Sequence, residues 1–436
     1  MSARSSSGAT GSGGPGNLTT VNWTSGWRAW LTFILGCLFF SYGFFQRVSP
    51  SVMVEDLMRE FAVGAAILGN LSAFYFYSYA ALQVPIGLLL DRFGPRRLLS
   101  AAAALCALGS LLFAMAPDVT VAYLGRLLIG TGAGFTWVGA LTLVTLFFPP
   151  HRFAFLVGVS QFFGMVGGVL GQAPLAAAVA AYGWRATMTA AAVVGALLAA
   201  LLYLVVRDRP RADTVGGQAA VTMAAAIRRV AANPQTWIAA LLGGCFVGPV
   251  LAFGGLWGVP YLMQSHGIDR PQAAGAVSFF FIGFGFGAPI LGWLSDHVHR
   301  RRLPLLFATT CSLSTLLVIF HGPALPLWAA CIVFAVHGFG AGGMVLSVAS
   351  AREHNPPNVT GAVYGLVNTA VVGGGALLQP LIGWLLDLNW DGRMEDGARV
   401  YAPEAFALAL AVLPAVSAVG VLAALATRET HCRQSA

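Results

Sequence analysis

The sequence predicts an all-α membrane protein of twelve transmembrane helices in two pseudo-symmetric six-helix bundles, and three observations carry that reading. Of its 436 residues, 57% are hydrophobic and only 9% charged, whereas about a quarter of a soluble domain is charged. About twelve apolar segments approach or exceed the roughly 20 residues a helix needs to cross ~30 Å of hydrocarbon. In that medium the backbone must satisfy its own hydrogen bonds, which makes each segment helical. The chain also repeats itself. At an offset of 207, Pro149-Pro150 matches Pro356-Pro357, Gly158 matches Gly365, Gly167-Gly168 matches Gly374-Gly375, Gln172 matches Gln379, and Gln161 falls on Asn368. Gly130-Thr-Gly132-Ala-Gly134 and Gly338-Phe-Gly340-Ala-Gly342 add a second block, shifted by 208.

Residues 1–26 are rich in Ser, Gly and Thr, lack the pattern of a cleavable leader, and read as a disordered cytoplasmic tail. The first bundle, 27–206, takes spans near 27–52, 64–90, 97–116, 119–147, 154–180 and 186–206. Between 207 and 234 the composition turns to Arg, Asp, Gly and Gln, an inner linker with a short basic interfacial helix over Ala224–Val230. The second bundle, 235–427, takes spans near 236–264, 272–295, 303–321, 325–350, 359–387 and 404–427, and 428–436 forms a second cytoplasmic tail. Glycine at this density lets helices approach closely, and parallel halves around a shared site are a recurrent transporter plan. The polar loop Asn389–Pro403 reads as solvated, with the reach to fold over an entrance.

All 24 basic residues are arginine, and their placement follows topology rather than nucleic acid. With the N-terminus inside, seventeen of them fall on the inner side, five outside, and ten of the sixteen acids outside. That asymmetry puts both termini in the cytoplasm of an inner-membrane protein. Five of the six cysteines lie in spans and read as packing residues, not a disulfide framework. No nucleotide-binding loop, metal cluster or nucleophile with a base occurs on the inner segments, which argues against a pump driven by ATP and against an enzyme. The partners expected are the bilayer, a small-molecule substrate and a coupling ion, protons among them, for a chain acting as a monomer without nucleic acid, metal or cofactor.

The most specific stretch is Gly87-Leu-Leu-Leu-Asp91-Arg92-Phe-Gly94-Pro-Arg96-Arg97, with a degraded copy 205 residues later, Gly292-Trp-Leu-Ser-Asp296-His297-Val-His299-Arg300-Arg301-Arg302. In both, a helix ends, turns within a few residues and restarts beside basic residues. The helix-end Asp finds a partner in nearby arginines or in a neighbouring helix N-terminus, which makes Gly87, Asp91, Arg92, Gly94, Arg96, Arg97, Asp296 and Arg301 a candidate gate. The first copy is similar at every specified position to the loop signature of the major facilitator superfamily. The resemblance, covering roughly 27–427, implies that family's fold and secondary transport by alternating access.

Charges within spans are few, with Arg47 in the first and Arg126 in the fourth and no acid at their depth. Counted from the outer ends, both lie one and a half to two turns deep, so an anion can bridge them. A guanidinium in hydrocarbon costs several kcal/mol unless it faces water or a partner, and it suits bidentate grip of a carboxylate or phosphate. The bland alternative is that Arg126 bonds carbonyls of the first helix. Arg126 to Gly134 resembles the superfamily's fourth-helix motif, and Arg47 in Phe-Phe-Gln-Arg-Val-Ser-Pro is similar to the first-helix arginine of organophosphate and anion:cation symporter families. Gln46 and Ala133 stand where the carboxylate symporters are expected to carry acids. Ala252 replaces the seventh-helix arginine of phosphate antiporters, and Gln172-Ala-Pro174 the Gly-Pro run of drug:proton antiporters. His337 in the tenth span titrates near neutrality and is the proton-coupling candidate, against the plainer reading of a satisfied core histidine. Tyr42, Tyr75, Tyr79, Gln161, Trp257, Tyr261 and Asn368 complete the candidate substrate contacts, with Gln161 and Asn368 favoured by the repeat. The cargo expected is a small organic anion or zwitterion; the rival readings are a proton-driven exporter of apolar compounds and a sensor that binds without transporting.

Overall fold

The computed structural model describes residues 26–83, 85–149, 152–208, 223–322 and 325–434. Eleven helical segments are long and apolar enough to cross a membrane. In the first half these are Trp27–Val52, Pro95–Ala114, Val119–Phe147, Phe155–Tyr182 and Trp184–Val205 (spans 1 and 3 to 6). The second half supplies Pro234–His266, Arg270–Val298, Arg302–His321, Leu327–Glu353, Pro357–Leu388 and Pro403–Ala426 (spans 7 to 12). The twelfth, span 2 in chain order, belongs to the pair Val54–Phe61 and Ala65–Leu82, which turns through 112°. Val54–Phe61 is short and carries Glu55, Asp56, Arg59 and Glu60, so it lies across the end of the bundle. Ala65–Leu82, continued by Ile86–Phe93, makes the crossing.

Five spans expected as continuous helices are interrupted: span 10 at Gly342–Gly343, span 12 at Ala411, and three more beside a proline. Span 2 breaks around Pro85, span 5 at Gly171–Gln172 before Pro174, and span 7 widens after Pro249 into a π-helical stretch, Val250–Trp257. Proline removes an intrahelical donor and crowds the preceding turn. Each break leaves backbone carbonyls or a hinge facing neighbouring helices.

Within the first half, span 3 packs on spans 4 and 6, and span 1 on span 5; within the second, span 8 packs on span 10 and span 7 on span 11. The halves meet along spans 2 and 11 and along spans 5 and 8. Glycines set the closest of these approaches: a Cβ on Gly69 would strike the Gln379 carbonyl, and one on Gly383 the Ala65 carbonyl. At the face bearing residues 53–65 and 389–402 the halves are tied shut, Arg270 to Glu55 and Asp56 and Asp387 to the Ala65 and Ala66 N–H groups.

Between spans 11 and 12 the loop forms a small antiparallel hairpin, Met394–Glu395 with Ala398–Arg399, the one pair of strands among the described residues. The basic segment of the linker is a helix, Met223–Ala231, with Ala226 and Val230 buried, packed against span 11. Residues 1–25 and 209–222 of the expected tail and linker lie outside the described residues. The stretch after span 12 is docked rather than loose: Arg428 N–H donates to Gln235 and Gln434 to the Asn355 carbonyl.

Candidate functional site

Arg47 and Arg126 come together through span 2. From Ala65–Leu82 the ring of Tyr75 lies between them, its centroid 5.6 Å from the Arg47 guanidinium carbon and 5.2 Å from that of Arg126. Arg47 donates from Nε to the Tyr75 hydroxyl at 3.4 Å, and that hydroxyl donates to the Gly43 carbonyl. Tyr79, four residues on and therefore on the same helix face, and Phe44 stack on Arg47 at 5.0 and 4.3 Å. Its exposure is 6%, the Tyr75 and Tyr79 side chains are its polar neighbours, and no carboxylate pairs with it among the described residues. A desolvated cation held by aromatic faces is stabilised by up to about 2 kcal/mol; no countercharge neutralises it.

Arg126 is fully buried, with both terminal nitrogens engaged and its Nε left without a partner. Nη1 donates to the Gln46 carbonyl at 2.7 Å and Nη2 to the Ser72 carbonyl at 3.4 Å, tying span 4 to spans 1 and 2. Of the two roles open to it, bonding the first helix is the one the geometry displays. The aromatic candidates are joined at this site by Phe44 and Ser72, which sequence reasoning passed over.

The remaining candidates are placed elsewhere. Tyr42 points at spans 3 and 6, bonded to Ser110, the Ala191 carbonyl and the Gln46 amide. Gln161 is half-buried in span 5 with no side-chain hydrogen bond among the described residues. Asn368 donates to Gln83 Oε1 at 2.7 Å and so bridges spans 11 and 2. Trp257 donates to the Gln379 carbonyl. Tyr261 is packed among Phe253, Phe320 and Phe406, its hydroxyl 3.4 Å from the Ile319 carbonyl. His337 is enclosed within the second bundle, against Phe280 of span 8 and near Thr315 and Ser312 of span 9, so it does not share the Arg47 surroundings.

Of the gate residues, Gly87 lies in the Ile86–Phe93 helix; its surroundings and the side chain of Asp91 lie outside the described residues. Gly94 turns the chain at φ 79°, and Arg96 holds the end of span 6, its Nε on the Tyr203 carbonyl and its guanidinium over that ring. Arg92 and Arg97 are exposed. In the second copy Arg301 bonds Asp296 at 2.7 Å and Glu353 at 2.7 Å. Burial would depress the Arg301 pKa, but these two carboxylates outweigh it and hold it above its ordinary value.

The opposite face carries the ties between halves. Arg270 of span 8 bonds Asp56 at 2.6 Å and Glu55 at 3.3 Å. Asp387 of span 11 accepts from the Ala65 and Ala66 N–H groups at the start of span 2, while Arg399 and Tyr401 hold that carboxylate. Burial, reinforced by the Asp387 charge, pushes the Tyr401 pKa upward. The loop expected to be solvated thus folds back, and with Val54–Phe61 and span 7 it walls a cavity of about 380 Å³ that includes Trp257 but neither Arg47 nor Arg126.

Comparison with known proteins agrees with this architecture. The chain is similar to the membrane sensor protein UhpC of Escherichia coli, 24% identical over 391 residues, which cover 84% of this chain and 88% of that one. With the probable sulfoacetate transporter SauU of Cupriavidus necator it shares 24% identity over 282 residues, 62% of this chain and 65% of SauU. A crystal structure of a bacterial homolog of the human lysosomal transporter Spinster, inward-facing and unoccupied, superposes with a TM-score of 0.71 at 19% identity, covering 94% of this chain and 99% of that one. The family model of the Major Facilitator Superfamily matches residues 34–379 and 252–433, and the chain belongs to that superfamily.

Proposed function

We propose that the protein is a secondary active transporter carrying a small organic anion or zwitterion by alternating access, with Arg47 as the residue that holds the anionic group. The observation that carries this reading is a buried guanidinium with aromatic faces around it and no acid beside it. An arriving carboxylate or sulfonate supplies the missing countercharge in the bidentate geometry guanidinium favours. Arg126 then acts as a positioning residue, fixing spans 1, 2 and 4 around Tyr75. The similarity to SauU, whose name specifies an organosulfonate with a carboxylate, favours the same class of cargo.

We place the chain in the inner membrane with the arginine-rich face toward the cytoplasm, as the charge asymmetry requires. The experiment is uptake and efflux of labelled organic anions in proteoliposomes, with and without a pH gradient. Flux that the gradient enhances identifies proton coupling, and His337→Gln then tests the tenth-span histidine. Similarity to a membrane sensor favours one second reading, binding without flux, which saturable binding of an anion by a protein that never transports it would establish.

A further inference from the structure

Gln172 and Gln379 occupy the same place in the two halves, 207 residues apart, yet their side chains do not do the same thing. Gln379 donates from Nε2 to the Leu251 carbonyl at 2.8 Å, a bond within the second half. Gln172 donates to the Gly254 carbonyl at 2.8 Å, a bond from the first half to the second. Both acceptors lie in the π-helical stretch of span 7, Val250–Trp257, and such stretches concentrate at functional positions. Gln172 sits at the break of span 5, at φ −110° and ψ −108°, whereas Gln379 lies inside the unbroken helix Thr360–Leu388. Ser51, at the end of span 1, holds the Gln172 amide at 3.1 Å. All three groups are buried at the closed side of the bundle.

We infer that the Gln172 amide on the Gly254 carbonyl is the latch that keeps the face bearing residues 53–65 and 389–402 shut, with Gln379 as its fixed counterpart. When the halves rock, the Gln379 bond travels with the second half and the Gln172 bond has to break. The Arg270 pairs with Glu55 and Asp56 and the Ala65 and Ala66 N–H bonds to Asp387 also cross between halves, but those carboxylates are partly exposed and therefore screened. The inference rests on the rocking motion of the proposed function and not on the charge of its cargo.

The test needs no substrate. Full-length protein in nanodiscs, with its native cysteines replaced and spin labels on Met115→Cys and His321→Cys, reports the separation of the two halves at this face. Loss of one hydrogen bond predicts that Gln172→Met multiplies the ratio of long to short distances about two- to tenfold. Gln379→Met leaves that ratio within about twofold of the parent's. Ser51→Ala moves it the same way as Gln172→Met by a smaller factor, and carries the test if Gln172→Met fails to fold. An unchanged ratio in Gln172→Met, or in Ser51→Ala where it stands alone, overturns the latch, as does an equal rise in Gln379→Met. Either failure leaves the role of Arg47 untouched, because no anion enters the measurement.

Discussion

Arg47 and Arg126 are alike in charge and depth but differ in what their nitrogens meet. Arg126 spends its two terminal nitrogens on the Gln46 and Ser72 carbonyls, so Arg126→Met strips two buried acceptors of their partner. The expected loss is on the order of 2–4 kcal/mol, read as a clear drop in melting temperature in detergent, with the anion affinity of the folded fraction nearly kept. Arg47 meets aromatic faces and tyrosine hydroxyls but no carboxylate, so Arg47→Lys is expected to fold with a near-parent melting temperature and to bind anions about ten- to a hundredfold more weakly, measured by titration. Lysine retains the charge but not the planar fork, and it stacks less well on Phe44 and Tyr79. The presence of two acid-free arginines was legible in the sequence because charges in spans are so few. Their division of labour was not, since it depends on helix rotation bringing Tyr75 between them and on which backbone carbonyls lie within reach.

Helix ends show the duplication at the next scale. Asp208 after span 6 accepts from the Arg96 N–H at the start of span 3, and Glu429 after span 12 accepts from the Arg301 and Arg302 N–H groups at the start of span 9. Each is an acid at the positive end of a helix. Partial burial of Glu429 would raise its pKa, but those N–H groups with Thr430 and His431 outweigh it and hold the value below the ordinary 4.5. A depressed carboxyl stabilises the fold fully above its unfolded pKa and ceases to do so as pH falls through the folded value. Glu429→Gln is therefore expected to lower the melting temperature at pH 7, with the gap to the parent closing as pH falls through the lowered folded-state pKa. The turn itself differs between copies, because His299 takes the place of Gly94 and is held at φ 53°. His299→Gly relieves that conformation and is expected to raise stability by up to about 1 kcal/mol in thermal or denaturant unfolding. The Gly-to-His departure was legible in the sequence; the acids from spans 6 and 12 were not, because they reach the turn only once the bundle is folded. Likewise Pro85, Pro174 and Pro249 were visible, but which would break a helix and which would widen it into a π turn is set by neighbours such as Gln172 and Gln379.

Across the whole molecule, two matched halves share spans 2 and 11 and spans 5 and 8 as their seam and are tied by ion pairs at the face bearing residues 53–65 and 389–402. Repeats at a fixed offset and apolar segments of membrane length made the two-bundle plan readable from residues alone. The conformation was not, because the same contacts within each half serve every state and only the ties between halves distinguish them. Arg270→Gln removes the Glu55 and Asp56 pairs, and a cysteine at Gln264, on the wall of the 380 Å³ cavity, is expected to react several-fold faster with a membrane-impermeant thiol reagent added from that face. An unchanged rate would mean the pairs do not hold the face closed. The account stands most directly on Arg47 as the seat of a negative group. Uptake of a panel of labelled small carboxylates, sulfonates and organophosphates into proteoliposomes, set against neutral analogues and repeated with Arg47→Gln, measures it. At least one anion is expected to accumulate saturably, in competition with other anions and not with neutral compounds, and to lose most of its uptake in Arg47→Gln; equal uptake by Arg47→Gln and the parent would contradict the account.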